Sequence, residues 1–306
     1  MRRAVTVSAG AILLFCATAS VLFLQQLDRV RSGATLQEFL YISSPKLLKR
    51  ASLGYEGLLA DIYWTRAVQY YGGLHHKGGG RYELLWPLLN ITTQLDSHII
   101  PAYEYGATFL SAKPPGGAGI PQKAIQLMEY GISHNPDVWH LYYDLGYIYY
   151  DLKDYPHAAE VFEQGSHVPN AHPFLKILAA QMAQHGGELQ TAQMLWSSVL
   201  ETTHDKYIRE NAIWHLRAVK VGMDVTELER LVGVYRQKFG HNPSSFGEME
   251  RAGLVRGIPL DPVGNEYQLD AKGNVFIADP EHFPFVEKGL PAGYVPSSVP
   301  IIPPVK

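Results

Sequence analysis

The chain opens with a uniform apolar run rather than a periodic one: Ala4 to Leu24 carries no charged residue. A helix over those 21 positions would span roughly 31 Å, close to the hydrocarbon thickness of a bilayer. Ala17-Thr18-Ala19 has the small-residue shape of a signal cleavage site, but Val21-Leu22-Phe23-Leu24 carries the apolar run past it. The pattern favours an uncleaved single-pass anchor, with a cleaved signal peptide as the competing reading. Arg2 and Arg3 before the run favour an inside N-terminus and so place the bulk on the outer, periplasmic side of a bacterial inner membrane. Arg29, Arg31, Lys46, Lys49 and Arg50 on the far side weaken that bias.

From there the apolar residues fall at helical spacing. Gln25 to Ser44 reads as a helical extension or linker. Ser44-Pro45 is a helix start, with Ser as cap and Pro at the first helical position. The spacing of Leu58, Leu59, Ile62, Ala67 and Val68 predicts a helix running toward Tyr71, stopped by Gly72-Gly73. A loop over Gly72–Gly80, holding His75 and His76, then leads to a helix from about Arg81 to Asp96.

A repeat follows. Ala124, Ala158 and Ala192 recur every 34 residues; four places on come Met128, Phe162 and Trp196, and three further Gly131, Gly165 and Val199. Upstream of the middle copy stands Tyr142-x-x-Leu145-Gly146-x-x-Tyr149. Tyr105-Gly106-x-x-Phe109 and Ala180-x-x-Ala183 precede the neighbouring copies, the first lengthened by a loop over Lys113–Gly119. From near Tyr207 the helical lengths persist while Trp214, Thr226 and Arg230 replace the signature residues. Small residues let two helices approach, large ones fill the space between, and a pair that cannot bury its own face must stack on another.

This pattern resembles the tetratricopeptide repeat, with Tyr142 in place of the usual Trp, over roughly residues 99 to 240. The resemblance implies an all-α solenoid, a right-handed superhelix of antiparallel helix pairs. It also implies a concave groove that takes a peptide or helix of a protein partner. The groove positions it assigns are His140, Tyr143, Tyr147 and Tyr150 on one repeat and Phe174, Ile177, Gln181 and Gln184 on the next. Chaperone-binding members hold a terminal carboxylate with Lys and Asn where Tyr143 and Tyr147 stand here, so the resemblance implies no such clamp.

The C-terminal region changes character. Pro243 to Ala252 reads as a short helix ended by Gly253, Pro259 to Gly264 as a turn, and Tyr267–Leu269 with Val275–Ile277 as a small β-hairpin. Pro259-x-Asp261-Pro262-x-Gly264-x-x-Tyr267 is similar to the segment before the C-terminal hairpin of type II secretion pseudopilins, whereas the N-terminal segment lacks the pilin processing pattern. Pro291, Pro296, Pro300, Pro303 and Pro304 predict an extended tail. The expected organisation is an anchor over 1–24, capping helices over 25–98, repeats over 99–240, a small α+β module over 241–285 and a Pro-rich tail over 286–306.

Composition narrows the function. A 46% hydrophobic fraction supports a core, and a net charge of −3 without a basic run argues against nucleic acid as partner. The single cysteine, Cys16, excludes an internal disulfide framework and a Cys-rich zinc site. Ser43-Ser44-Pro45-Lys46 has the S-x-x-K form of a serine nucleophile motif, but its companions S-D-N and K-T-G are absent, and helix capping explains it better. Gly78-Gly79-Gly80 lacks phosphate-loop spacing. None of the 13 histidines sits in a metal-ligand spacing, and Asp261, Asp270 and Asp279 read as turn residues. No catalytic residue, metal or cofactor is expected. The sequence predicts a non-enzymatic, membrane-tethered adaptor in an envelope complex. A subunit of a secretion or pilus system and a regulatory subunit of a membrane enzyme are the alternatives.

Overall fold

The structure, a computed structural model, describes residues 18–20, 44–78 and 80–295. Among the described residues from 44 on, the repeat region and what precedes it form the α-helices α1 (Pro45–Ala51), α2 (Glu56–His76), α3 (Leu85–Leu95), α4 (Ile100–Ser111), α5 (Pro121–His134), α6 (Trp139–Asp151), α7 (Tyr155–Ser166), α8 (Phe174–His185), α9 (Leu189–Thr202) and α10 (Lys206–Phe239). A short α11 (Phe246–Arg251) and the antiparallel pair β1 (Gln268–Leu269) and β2 (Val275–Phe276) follow, in the register Gln268↔Phe276 and Leu269↔Val275.

The expected membrane helix is corrected. Among the described residues no helix is long and apolar enough to cross a membrane, and of the segment 1–24 only 18–20 are described. The two helices with the necessary length fail on polarity. α2 carries Glu56, Asp61 and Arg66, and α10 carries Lys206, Arg209, Glu210, Arg217, Lys220 and Asp224 within its first 19 residues. Each charge at bilayer depth costs about 2.5–3.5 kcal/mol. The inner-membrane location, the membrane as partner and the tethered role rested on that helix and fall with it. Ser43 of the S-x-x-K pattern and Pro296, Pro300, Pro303 and Pro304 of the tail lie outside the described residues.

The chain divides into two compact units. The first comprises residues up to Ala102 together with Ala112–Gly119. Ser44 caps α1 by accepting from the Leu47 amide at 3.3 Å, but the predicted helix to Tyr71 is two helices, broken where Leu53 and Gly54 take positive φ. α2 then continues through Gly72-Gly73 to His76. Contacts within and beyond the helix offset the glycine cost of about 1 kcal/mol each: the Tyr71 ring stacks on His75 one turn on in the same helix (5.5 Å) and on Tyr82 outside it (5.7 Å), and its hydroxyl donates to the Gly116 carbonyl at 2.8 Å. The Tyr82 hydroxyl donates likewise to Pro115 at 2.9 Å.

The second unit holds Tyr103–Ser111 and Ile120 onward. Here successive helices α5 to α10 pack each on the next, an all-α, solenoid-like stack of helix pairs. The repeated glycines and large side chains meet as the spacing requires. A Cβ on Gly131 would lie 2.7 Å from the Tyr103 ring; on Gly146, 2.4 Å from the Phe162 ring; on Gly165, 2.6 Å from both Tyr142 and Leu175. Phe162 and Trp196 are almost wholly buried in one cluster with Ala158, Ala183 and Ala192. Asp154 and Asp205 cap α7 and α10 with side-chain acceptors.

Past the third copy the pairing ends. The region that keeps helical length without signature residues is one continuous helix, α10, of 34 residues, and not a helix pair. It contains no proline, and its two glycines, Gly222 and Gly233, stand in helical conformation; Gly240 at φ 80° finally caps it. Its second half packs with the C-terminal module, where Phe246, Met249, Tyr267, Val275, Ile277 and Phe283 form a second core against Val225, Leu228 and Val232. Asp261 and Asp270 each accept two backbone amides in their turns, which occupies the carboxylates locally.

Candidate functional site

The sequence-predicted groove positions separate into two groups. On α6, His140 and Tyr150 are exposed while Tyr143 and Tyr147 are half-buried against Phe162. Spacings of three and four residues bring these side chains onto one helix face. They form a run of ring contacts: Trp139 stacks on His140 (3.7 Å) and meets Tyr143 edge-on (6.3 Å). Tyr143 then meets Tyr147 (4.8 Å), Tyr147 meets Tyr150 (6.1 Å), Tyr150 meets Tyr155 of α7 (6.2 Å), and Tyr155 meets His185 of α8 (5.8 Å). The Tyr147 phenol is pushed up to about 12, first by burial and then by its hydrogen bond with Tyr143, so it stays protonated as a donor. Phe174 is exposed at the start of α8 and meets His172 edge-on at 6.5 Å. Ile177 is half-buried against the core, and Gln181 is half-buried.

Sequence reasoning missed Asp144, one turn from His140 on the same helix. Burial, and secondly the negative Glu104 of α4, raise its carboxyl to about 7. The signal was available: Asp144 is the one acidic residue among the apolar and aromatic positions between Trp139 and Tyr150.

Gln184 departs from the expected role. It is buried, at 5% exposure, and faces the chain itself. Its amide nitrogen donates to the Phe285 carbonyl at 2.8 Å, and its oxygen accepts from Trp196 Nε1 at 3.2 Å and lies 2.8 Å from His215 Nδ1. An indole N–H only donates and a carbonyl only accepts, so these partners fix which way the amide points. His215 must then carry its proton on Nδ1. Its Nε2 is buried with no hydrogen-bond partner among the described residues. Burial, and secondly His185, lower the His215 pKa to about 3. Residues 284–289, where the predicted α+β module ends and the predicted tail begins, therefore pack against α8 and α10. The missed signal is apolar: Phe283, Phe285 and Val286 run without a break across the predicted boundary at 285/286, which argues for packing on both sides of it.

Among the described residues no group of three His, Cys, Asp or Glu is placed to hold a metal ion. No family model and no curated protein matches this chain. That corrects the resemblance to the tetratricopeptide repeat family and the short C-terminal likeness to the pseudopilins. The motifs that suggested them are a helix-packing rule and a turn sequence, and both arise wherever helices approach at glycine or an Asp closes a loop. What stands is the stacked helix-pair architecture.

Proposed function

We propose that this chain is a protein-binding module whose α6 face receives a segment of a partner protein. The observation that carries the reading is the run of rings from Trp139 through Tyr150 to Tyr155, set on a rigid helix with two of its members exposed. Tyr and Trp offer large apolar area with a polar edge and few rotatable bonds, which is why they dominate interface energetics. Asp144 adds chemistry to this face. A carboxyl whose ionisation is disfavoured by burial and by Glu104 gains most from an incoming cation, so the partner segment carries Arg or Lys beside apolar residues. The role proposed is recognition rather than catalysis, since rings, amides and one shielded carboxyl bind a chain without supplying a nucleophile.

The test is a displayed random-peptide selection against the full chain, followed by amide-exchange mapping of the peptides recovered. Protection should fall on α6 and the start of α8. Tyr150→Ala with Tyr143→Ala, helicity retained, should weaken the selected peptides at least tenfold, or about 1.4 kcal/mol. Selected peptides that bind the double variant as tightly as the parent would refute the assignment.

A further inference from the structure

The segment Phe283–Gly289 is held in two different ways. Phe283 is 2% exposed in the core of the C-terminal module and fastens the segment there. Beyond it, the contacts resemble those of a ligand in a receptor. The Phe285 ring lies flat on His215, with centroids 3.9 Å apart and planes at 7°. His215 lies flat on Trp196 (4.1 Å, 11°), and Trp214 flanks Phe285 at 6.4 Å. Gln184 reads the Phe285 carbonyl. Two residues on, the Glu287 carboxylate pairs with His185, and Lys288 pairs with Glu229 at 2.9 Å. Each contact recognises one feature of the segment, which turns at 284–285: a ring, a backbone carbonyl, an acid and a base.

Burial is a small part of this grip. Phe285 is only half-buried, and Glu287 and Lys288 are exposed. Alongside runs a cleft of ≈310 Å³ floored by Leu189, Ala218, Val219 and Gly222, with Glu287 and Lys288 at its rim. Water therefore reaches the segment from the side. On release, the Gln184 amide, which already lines this cleft, would be solvated instead of being left buried and unpaired. A purely structural staple would need neither a polar triad nor a histidine with a bare nitrogen beneath its ring. Gly289 stays fixed, its carbonyl accepting from the buried Ile277 amide at 2.9 Å, so the release is confined to residues 284–288 and withdraws from the second core only Val286 at its edge.

We propose that the slot between α8 and α10 is a second peptide-binding site, which takes a segment of another protein bearing an aromatic residue followed two places later by a carboxylate, and that residues 285–288 are its tethered occupant in the free chain. The site does not depend on the α6 face binding anything. Tethering gives the internal segment an effective concentration on the order of millimolar, which a partner must outcompete. The intact chain therefore binds such a segment weakly, and loosening the internal one exposes the site's own affinity.

The probe is a fluorescein-labelled peptide of residues 281–291, titrated by anisotropy into the full-length chain. Phe285→Ala with Glu287→Ala should bind it at least tenfold tighter than the parent chain does. Replacing the phenylalanine equivalent to Phe285 in the peptide, or adding Gln184→Leu to the protein, should abolish binding. Glu287→Gln alone disturbs only an exposed pair and keeps the test valid should the double variant unfold; it should raise affinity about threefold, the effect of one screened ion pair. Equal binding by the parent and a folded, loosened chain would overturn the proposal and make the segment a staple. A concentration-dependent dimer that Phe285→Ala abolishes would also overturn it, by assigning the slot to a second copy of this chain.

Discussion

Gly146→Ala tests the packing rule on which the helix stack rests. The added methyl would stand 2.4, 2.6 and 2.7 Å from three carbons of the Phe162 ring, against ordinary contact from about 3.4 Å. Relief needs the ring or the helix to retreat by about 1 Å in an interior packed like a crystal. Phe162 has nowhere to go: it is 1% exposed, and the Tyr143 and Tyr147 rings stand 6.4 and 5.6 Å away on the groove side. Alanine gains about 1 kcal/mol over glycine as a helix former, and overpacking costs about 1–3 kcal/mol, here at the upper end. The expected net is a loss of about 2 kcal/mol, or a drop of about 4–8 °C in the unfolding midpoint of a unit this size. Circular-dichroism melts and urea midpoints read both. Phe162→Leu in the same chain should restore part of the loss, giving a favourable coupling of about 1–2 kcal/mol in the double-mutant cycle. A Gly146→Ala chain as stable as the parent would refute the claim that close approach, rather than chance, places the glycine there.

The same substitution at Gly233, where nothing lies within 4 Å of the new methyl, should instead stabilise by about 0.5–1 kcal/mol, read from the same urea midpoints. His215 is neutral when folded, with a pKa lowered to about 3 by burial first and His185 second. The unfolded chain takes up its proton near pH 6.5, so stability should fall as pH drops from about 6.5, at no more than about 1.4 kcal/mol per unit, and His215→Phe should flatten the slope between pH 6.5 and 5. His185 works the other way: its hydrogen bond to Glu287 raises its pKa, so its contribution is present below about pH 6.5 and is lost as pH rises through the folded pKa. Asp144, raised to about 7 chiefly by burial, binds its proton in the folded state between about pH 4 and 7, so stability drains as pH rises through that window. Asp144→Asn should therefore unfold at higher urea than the parent at pH 8, by about 1–2 kcal/mol once solvent screening is allowed for, with the gain gone near pH 4.

The repeat was legible because its determinants are local and periodic. Ala158, Phe162 and Gly165 sit on one helix at spacings that name a face, and Gly146 answers Phe162 from the neighbouring helix. A 34-residue register therefore carries pairwise packing information in one dimension. Helix ends were legible only where the cap is chemical. Ser44 caps α1 as its type suggests, whereas Gly72-Gly73 did not stop α2. The stacked Tyr71, His75 and Tyr82 rings outweigh two glycines, and nothing in the local sequence reports a contact between residues 71 and 116. The continuity of α10 was likewise hidden by the register itself. A period that holds for three copies suggests a fourth helix pair, and Asp224 and Thr226 even offer a second helix start, so only the absence of proline between Lys206 and Phe239 argued against it.

The candidate site shows where such reading stops. The α6 rings belong to a single helix, and periodicity alone puts them together. The Gln184 network joins four residues from α8, α9, α10 and the segment 284–289, with Gln184 and the carbonyl it holds 101 positions apart. No spacing rule reaches that far, and the resemblance sent Gln184 to an open groove. Its burial follows from physical chemistry once the partners are known: a primary amide can serve an indole, an imidazole and a carbonyl at once, and an apolar side chain there would leave three polar groups unpaired. Gln184→Leu should accordingly cost more than the loss of any single hydrogen bond, about 2–4 kcal/mol, unless the Phe285 segment leaves and lets water take the amide's place. The size of that loss separates a segment that is part of the core from one that can lift away. A cost near the upper value, with residues 284–289 as protected from amide exchange as the α9–α10 core, means the segment is core; a smaller cost with fast exchange confined to those residues means it can lift.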